Sequence, residues 1–416
     1  MNAGIIAVGS ELLTPSRLDT NSLFLTEQLN NLGIEVTGKA IIGDDAVRLA
    51  EAVRYAISRA DIVILTGGLG PTEDDVTRDA VAAALGRKLI FQEITLEWIQ
   101  QRFRQMNRRM ADINRRQAYV IEGAEPLPNA NGTAPGQWIE YSGTFVILLP
   151  GPPNEMKPMF LNQCLPRLEK VAPRRFIRTL VYRVAGMPES DLDQLISPVY
   201  KKYENPVTTI LAAPGDVQIH LRARAETVDQ VEALLKEVGS AIERLLGDKI
   251  YSRDGTPLEA VVGSMLRTCK ATLSVAESCT GGLLAGRVTE VPGSSDYFVG
   301  GFLVYTAQIK QEILGVDPAL IQTYGVVSEP VARMMALKAS ERTGSTYALS
   351  VTGVAGPSGG SEQAPVGTVC IGVAHPEGCQ AERFHFLGDR IRVRTMAVQT
   401  ALDLLRRRLQ GDLKRT

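Results

Sequence analysis

Short apolar runs alternate with amphipathic stretches along the first part of the chain. Residues 5–8, 36–42, 61–65 and 145–149 read as strands with little polar interruption. Between the first three, apolar residues recur every three or four positions, as on one face of a helix. One such helix carries Leu23, Leu25, Leu29 and Leu32, with Thr20 or Asn21 as its cap and Gly33 as its stop. The next carries Val47, Leu49, Val53 and Ile57 behind Asp45, and a third follows Asp75 as cap and closes at Gly86. Continuous apolar strands separated by helices imply a parallel sheet covered on both faces. The first block, residues 1–170, is therefore expected to be a three-layer αβα domain with a mostly parallel sheet.

The rhythm changes over residues 171–250. A strand at 178–184, a helix at 189–200, a hairpin of 207–212 and 216–223 around Pro214 and Gly215, and a helix at 227–246 make a small βαββα unit. Its order of elements is KH-like, although no G-x-x-G joins helices there. The third block, residues 251–416, returns to α/β alternation. Thr256, Pro257 and Glu259 read as a capping box. Strands are expected at 272–276, 297–305, 347–351, 367–374 and 381–387, with helices up to Glu290, after Ser328 and from Gly388 to near Leu409. The fold class is α/β throughout, with three domains.

Composition narrows the function. The 416 residues include 45 Lys+Arg and 46 Asp+Glu, a net charge of -1, which favours no polyanion partner. Basic pairs such as Arg108-Arg109, Arg115-Arg116, Arg174-Arg175 and the run 406–408 read as solvated faces. Only 3 His and 5 Cys are present, and no C-x-x-C occurs, so neither a disulfide framework nor a dense His/Cys metal site is expected. The opening residues read as a strand rather than a signal peptide. No run approaches the roughly 18 apolar residues of a membrane span. A soluble, cytoplasmic protein with reduced thiols is expected.

Three loops of the first block follow buried strands and should gather on one edge of the sheet. They are GSELL at 9–13 with DTNS at 19–22, TGGLGPTEDD at 66–75, and LPGPPNEM at 149–156. Ligands of open α/β sheets bind at that edge, where glycine amides can approach a phosphate. The carboxylates of Glu73, Asp74 and Asp75 would repel an anion unless a hard cation lay between them; the alternative is a tight turn with Asp75 as helix cap. These four motifs resemble the molybdopterin-binding domain of molybdenum cofactor biosynthesis proteins. More closely, they are similar to the N-terminal domain of the competence/damage-inducible CinA family. TPSRL at 14–18 departs from the glycine-containing loop of that family. The resemblance implies metal-dependent hydrolysis of ADP-ribose to AMP and ribose 5-phosphate. Gly67, Gly68 and Gly70 would then cradle phosphate, Asn154 and Glu155 would line the site, and Glu73, Asp74 and Asp75 would face a divalent metal such as Mg²⁺ or Co²⁺.

In the third block a strand leads into Glu277-Ser278-Cys279-Thr280-Gly281-Gly282 and then a helix. A hydroxyl at such a turn is exposed, with amide N–H groups behind it, as in a nucleophile elbow. It needs a base. His220, His375 and His385 have no matching acidic motif, so structural or surface roles are expected for them. Lys310, which follows Tyr305 after the strand, is the alternative, because a desolvated lysine can lose its proton. The block resembles the C-terminal domain of the CinA family, the nicotinamide mononucleotide (NMN) deamidases. The resemblance rests on AESCTGG at 276–282, PGSSDYFVGGFLVYTAQIK at 292–310, YGVVSEPVARMMA at 324–336, VTGVAGPSGGSEQAPVGTV at 351–369 and GDR at 388–390. It implies hydrolysis of NMN to nicotinate mononucleotide and ammonia, with no metal. Ser278 is expected as nucleophile, Lys310 as base and Tyr305 as a hydrogen-bonding partner of the pair. N–H groups near Gly281 and Gly282 would hold the oxyanion. Thr352, Gly353 and Gly356 would line the nucleotide pocket, and Arg390 would take the phosphate. Thr280 is expected as a helix cap and is the runner-up nucleophile, while Cys279 should be buried packing.

The expected protein is a homodimeric hydrolase of pyridine nucleotides, with neither membrane nor nucleic acid as partner. Two other readings compete. One is a molybdopterin-binding or adenylyl-transferring protein, which the third block does not suit. The other is a non-catalytic competence or DNA-damage accessory, which calls for a basic nucleic-acid surface.

Overall fold

The computed structural model describes residues 1–172 and 175–413. Arg174, one of the paired arginines above, lies outside the described residues. The chain divides into two compact units, residues 1–178 with 223–233 and residues 179–222 with 234–416. Among the described residues no helix is long and apolar enough to cross a membrane.

The elements of the first unit run in order β1 (Asn2–Val8), α1 (Thr20–Asn31), β2 (Glu35–Ile42), α2 (Ala46–Ile57), β3 (Ile62–Thr66), α3 (Thr77–Leu85), β4 (Leu89–Phe91), α4 (Glu93–Gln105), β5 (Tyr119–Ile121), β6 (Glu125–Leu127), β7 (Gly136–Tyr141), β8 (Thr144–Leu149), α5 (Pro153–Met159) and α6 (Leu165–Val171). The main sheet has the order β2-β1-β3-β8-β7-β6. Its first four strands are parallel, and β7 and β6 add on antiparallel. Alternate residues of β3 serve opposite faces. Ile62 and Ile64 pack with Leu25, Leu29 and Phe160, whereas Val63 and Leu65 pack with Leu49, Val53 and Val81. Burial on both faces is why these strands carry no polar alternation.

Two caps differ from expectation. The cap of α1 is Asp19, whose carboxylate accepts the Ser22 N–H at 3.0 Å, not Thr20 or Asn21. At α3, Asp75 does not cap; it turns back to its own loop, and Val76 holds the cap position. Asp45 caps α2 and a left-handed Gly86 closes α3, as expected.

The chain continues through β9 (Phe176–Ala185), α7 (Glu189–Tyr200), β10 (Val207–Ala213), β11 (Asp216–Ala225), α8 (Val228–Leu246) and β12 (Ile250–Ser252). This is the βαββα order with one added strand, in a sheet β10-β11-β9-β12. Gly215, at φ 77°, makes the tight turn of the β10–β11 hairpin.

The rest of the second unit comprises α9 (Leu258–Thr268), β13 (Leu273–Glu277), α10 (Leu283–Thr289), β14 (Phe298–Leu303), α11 (Ala307–Ile309), α12 (Pro318–Tyr324), α13 (Glu329–Thr343), β15 (Tyr347–Gly353), β16 (Thr368–His375), β17 (Gly378–His385) and α14 (Arg390–Leu413). Its sheet is β14-β13-β15-β16-β17, parallel across the first three strands and antiparallel beyond. Leu273, Val275, Leu349 and Val351 pack against α9, α10 and α14. Ala276, Ala348 and Ala374 pack against Val331, Met335 and Ala339 of α13. The expected capping box at α9 does not form. Pro257 occupies the cap position without a side-chain bond, and Glu259 instead pairs with Arg287. The run 406–408 is not a solvated face either. Arg406 is fully buried on Asp403, Arg407 shares that carboxylate, and Arg408 binds Glu377 and Asp412.

Candidate active site

Parallel strands in register end together, so the loops after β13, β14 and β15 share one edge of the sheet. The Ser278 N–H continues the ladder to Val351 O at 2.9 Å, and Val304 N–H bonds Glu277 O at 2.8 Å. Ser278 therefore leaves β13 at a fixed point between its two neighbours. Thr306 caps α11 by accepting the Ile309 N–H at 3.2 Å. The helical turn this starts carries Lys310 back beneath the end of β14, where a π-turn over Lys310–Leu314 closes on a left-handed Gly315.

Lys310 has no exposed surface. Its Nζ donates to Ser278 Oγ at 3.0 Å, Val304 O at 2.8 Å and Tyr305 O at 3.2 Å. It forms no ion pair among the described residues. Burial lowers its pKa from the ordinary lysine value to about 8, against a small opposing pull from the Cys279 thiol. Ser278 Oγ in turn faces Tyr305 O at 3.3 Å. A serine hydroxyl, a desolvated amine and two carbonyls that hold the amine's hydrogens are the parts of a nucleophile and its base.

Around Ser278 lies a cleft of about 250 Å³, lined by Cys279, Tyr305, Val326, Val327, Thr352, residues 353–356, Ser358, Gly359 and Arg390. Arg390 spans it. One guanidinium nitrogen donates to Gly356 O at 2.9 Å and another to the Tyr305 hydroxyl at 3.2 Å. Thr352 Oγ1 donates to Val326 O at 3.0 Å and so ties two walls together.

Several expected roles change. Tyr305 meets the Ser–Lys pair through its backbone carbonyl, while its phenol belongs to Arg390. The Gly281 N–H is bonded to Ser278 O at 3.1 Å, and the Gly282 N–H to Glu277 Oε2 at 3.0 Å, so neither is free for an oxyanion. The amides of Cys279 and Thr280 have no carbonyl or carboxylate partner among the described residues. Thr280 is not a cap: Gly282 holds that position, and the Thr280 hydroxyl is fully buried without a partner. Capping falls to Glu277, 2% exposed, which accepts the N–H groups of Gly282, Leu284 and Ala285 at 2.8–3.0 Å. That carboxylate occupies the end of α10 where an anionic ligand would otherwise bind. Cys279 is buried in the core, its thiol pushed up to about 11 by burial. None of the three histidines lines the cleft.

Sequence reasoning had not assigned roles to Glu277, Val326, Val327 and the Val304 carbonyl. An acidic residue six positions before the start of α10 was the available signal for Glu277.

In the first unit the three expected loops do meet. Asn21 Nδ2 donates to Gly151 O at 2.7 Å, and a Cβ on Gly151 would lie 3.4 Å from Gly67 Cα. The 66–75 loop is drawn tight. Thr77 Oγ1 binds Gly67 O at 2.8 Å, and buried Arg78 holds Leu69 O and Gly70 O at 2.6 and 2.8 Å. The Gly67 N–H goes to Leu149 O and the Gly70 N–H to Asp75, which leaves the Gly68 and Leu69 amides without a partner among the described residues. Of the expected cradle of Gly67, Gly68 and Gly70, only Gly68 keeps an unbonded amide among the described residues. The expected carboxylate trio does not converge. Asp75 is held by the Gly70 and Thr72 amides and the Thr72 hydroxyl, Glu73 pairs with Arg116 at 2.6 Å, and Asp74 is exposed. Asn154 is exposed and Glu155 accepts from Asn129 at 2.7 Å. Among the described residues no three His, Cys, Asp or Glu side chains could hold a metal ion. These side chains do not fit the metal expected of them.

Three family models match the chain: a probable molybdopterin binding domain over residues 4–170, the damage-inducible protein CinA KH domain over 179–252, and the CinA C-terminal domain over 255–409. A CinA-like protein of Solibacter usitatus is 62% identical over 411 residues, covering 99% of both chains. One from Koribacter versatilis is 47% identical over 413 residues, 98% of this chain and all of that one. A solved CinA superfamily protein of Escherichia coli is 35% identical over 36% of this chain and 87% of its own, with a TM-score of 0.35.

Proposed function

The chain belongs to the CinA family, and from that premise we propose that its C-terminal domain hydrolyses the carboxamide of nicotinamide mononucleotide. The observation that carries the reading is the buried Lys310, which has no ion pair among the described residues and is hydrogen-bonded to Ser278 Oγ. With the amine neutral, two of its hydrogens rest on Val304 O and Tyr305 O and its lone pair takes the Ser278 proton. Ser278 Oγ bonds to the carboxamide carbon, and the carbonyl pair moves onto oxygen. The Cys279 and Thr280 amides are the donors left to hold that oxyanion. The C–N bond then breaks, Lys310 returns the proton, and ammonia leaves. Water, deprotonated by Lys310, attacks the resulting ester and releases nicotinate mononucleotide from Ser278. Arg390 binds the phosphate. Ammonia release from NMN by the full-length protein tests this; a Ser278→Ala variant that works at the normal rate would overturn it.

A second reading concerns the N-terminal domain, where the free Gly68 and Leu69 amides at the sheet edge suit a phosphate ligand. Hydrolysis of ADP-ribose to AMP and ribose 5-phosphate is proposed there. Product analysis with full-length Ser278→Ala protein and a panel of divalent ions tests it. Intact ADP-ribose with every ion would rule it out.

A further inference from the structure

The turn that carries the nucleophile has little of its own to hold it. It ends on Gly281 and Gly282, at φ 59° and 90°, a region that glycine enters freely. Neither has a side chain to pack. Within the turn the Gly281 N–H bonds Ser278 O at 3.1 Å, and the Leu283 N–H reaches Thr280 O at 3.3 Å. The amides of Cys279 and Thr280 are the donors left for an oxyanion, and such donors act by being arranged in advance. Something outside the turn has to hold them.

That restraint comes from α14. Arg394 Nη2 donates to Thr280 O at 2.5 Å. A Cβ on Gly281 would lie 3.5 Å from the same nitrogen, so the guanidinium rests against the turn. Arg394 is half-buried, and among the described residues it has no ion pair and no other hydrogen bond; its Nε is buried without a partner. A guanidinium drawn out of water ordinarily takes a carboxylate. This one is spent on the Thr280 carbonyl. Its charge also reaches Cys279, where it and Lys310 pull the thiol down against the burial that raises it. Positive potential at Cys279 favours an anion held by the Cys279 amide. Arg394 stands one helical turn after Arg390, so the two leave α14 on the same face. Arg390 holds Gly356 O in the cleft wall, and Arg394 holds Thr280 O beside the nucleophile.

We propose that Arg394 is a positioning residue of the amidase site: by holding the Thr280 carbonyl it fixes the Cys279 and Thr280 amides as the oxyanion site and places positive charge behind them. Arg394 does not line the cleft, so it acts through the turn. The inference rests on the reading of Ser278 as nucleophile and adds the element that keeps its oxyanion donors in place. The effect falls on kcat and not on NMN binding, because the oxyanion exists only after Ser278 Oγ has bonded to carbon.

Two measurements on full-length protein test this: steady-state NMN hydrolysis, and labelling of Ser278 by a small alkyl fluorophosphonate, read by mass spectrometry. In labelling, Ser278 Oγ bonds to phosphorus, fluoride leaves, Lys310 takes the hydroxyl proton and the P=O oxygen occupies the oxyanion position. Arg394→Met, which keeps the apolar stem, should lower kcat roughly 10–10²-fold with KM for NMN within about threefold, and slow labelling by a similar factor. The pH at which labelling reaches half its maximum should stay at about 8, because Lys310 is untouched. Arg394→Lys restores the charge and a donor and should recover part of both rates. The proposal is overturned if Arg394→Met keeps kcat within about threefold of the parent, if KM rises as much as kcat falls, or if the labelling midpoint moves with the substitution. Parent protein that neither hydrolyses NMN nor is labelled at Ser278 overturns the amidase reading, and this inference with it. Parent protein that is labelled but leaves NMN intact overturns only the substrate, and the labelling rates then decide the role of Arg394.

Discussion

Lys310 Nζ lies 3.0 Å from Ser278 Oγ, although the two residues are 32 positions apart in the chain. The contact is buried, and the amine's other bonds go to backbone carbonyls alone. A lysine held this way is a base only when neutral, and that ties the site's chemistry to pH.

With its pKa lowered to about 8, Lys310 is mostly protonated at neutral pH. The rate of NMN hydrolysis should therefore rise with pH and level off above about 8, as the free amine becomes the dominant form. The unfolded chain binds this proton up to the ordinary lysine value and the folded chain only up to about 8. Protonated, buried Lys310 thus opposes folding, and its contribution to stability improves as pH climbs through that window. A kcat/KM profile that is flat from pH 6 to 9 would remove Lys310 as base. Lys310→Met, which keeps the buried stem, should lower kcat by about 10²–10⁴-fold.

Ser278 and Thr280 separate cleanly by substitution. Ser278→Ala should cost roughly 10³-fold or more in kcat while NMN still binds. Thr280→Val removes a buried hydroxyl that has no partner, so activity should be retained and the unfolding temperature unchanged or raised. Ammonia release and thermal unfolding read both. Loss of activity in Thr280→Val alone would reverse the assignment.

Arg390 should matter to the phosphate and not to the amide. Arg390→Ala is expected to raise KM for NMN by roughly tenfold or more, the worth of a charge-assisted pair. Nicotinamide riboside, which lacks the phosphate, should be hydrolysed with little change. Tyr305→Phe removes only the phenol bond to Arg390 and should have a small effect, because the carbonyl near Lys310 remains. Equal losses on both substrates would place Arg390 elsewhere in the mechanism.

Glu277 should be a stability residue with a kinetic shadow. Glu277→Gln keeps one acceptor oxygen but turns an NH₂ either toward the Ala285 amide or toward those of Gly282 and Leu284. Leaving buried donors unmatched should cost about 1–3 kcal/mol, measurable by denaturant unfolding. An unchanged denaturation midpoint would mean that α10 does not need this cap.

Much of the site was legible before folding. Ser278 stands at a strand-to-helix turn, and the scarcity of histidine pointed to a lysine base; Ser278 lines the cleft and Lys310 lies buried behind it, 3.0 Å away. The elements were legible because strands buried on both faces are continuously apolar, as at β3 and β13. What was misread has a common cause. The hydroxyl of Thr280, the phenol of Tyr305 and the carboxylate of Asp75 were given roles by residue type. Their directions depend on which backbone groups were already satisfied. Glu277 had taken the end of α10, and the Gly70 and Thr72 amides had taken Asp75.

The sequence by itself determined the α/β architecture, the family and the reactive residue types, since apolar periodicity and ordered motifs are local properties of the chain. Only the tertiary structure decided which amides stay free, which carbonyls hold Lys310, and that Glu73, Asp74 and Asp75 do not converge. Those outcomes depend on hydrogen-bond partners that become neighbours only when separate strands and helices pack together, and desolvation of Lys310 exists only inside that packing.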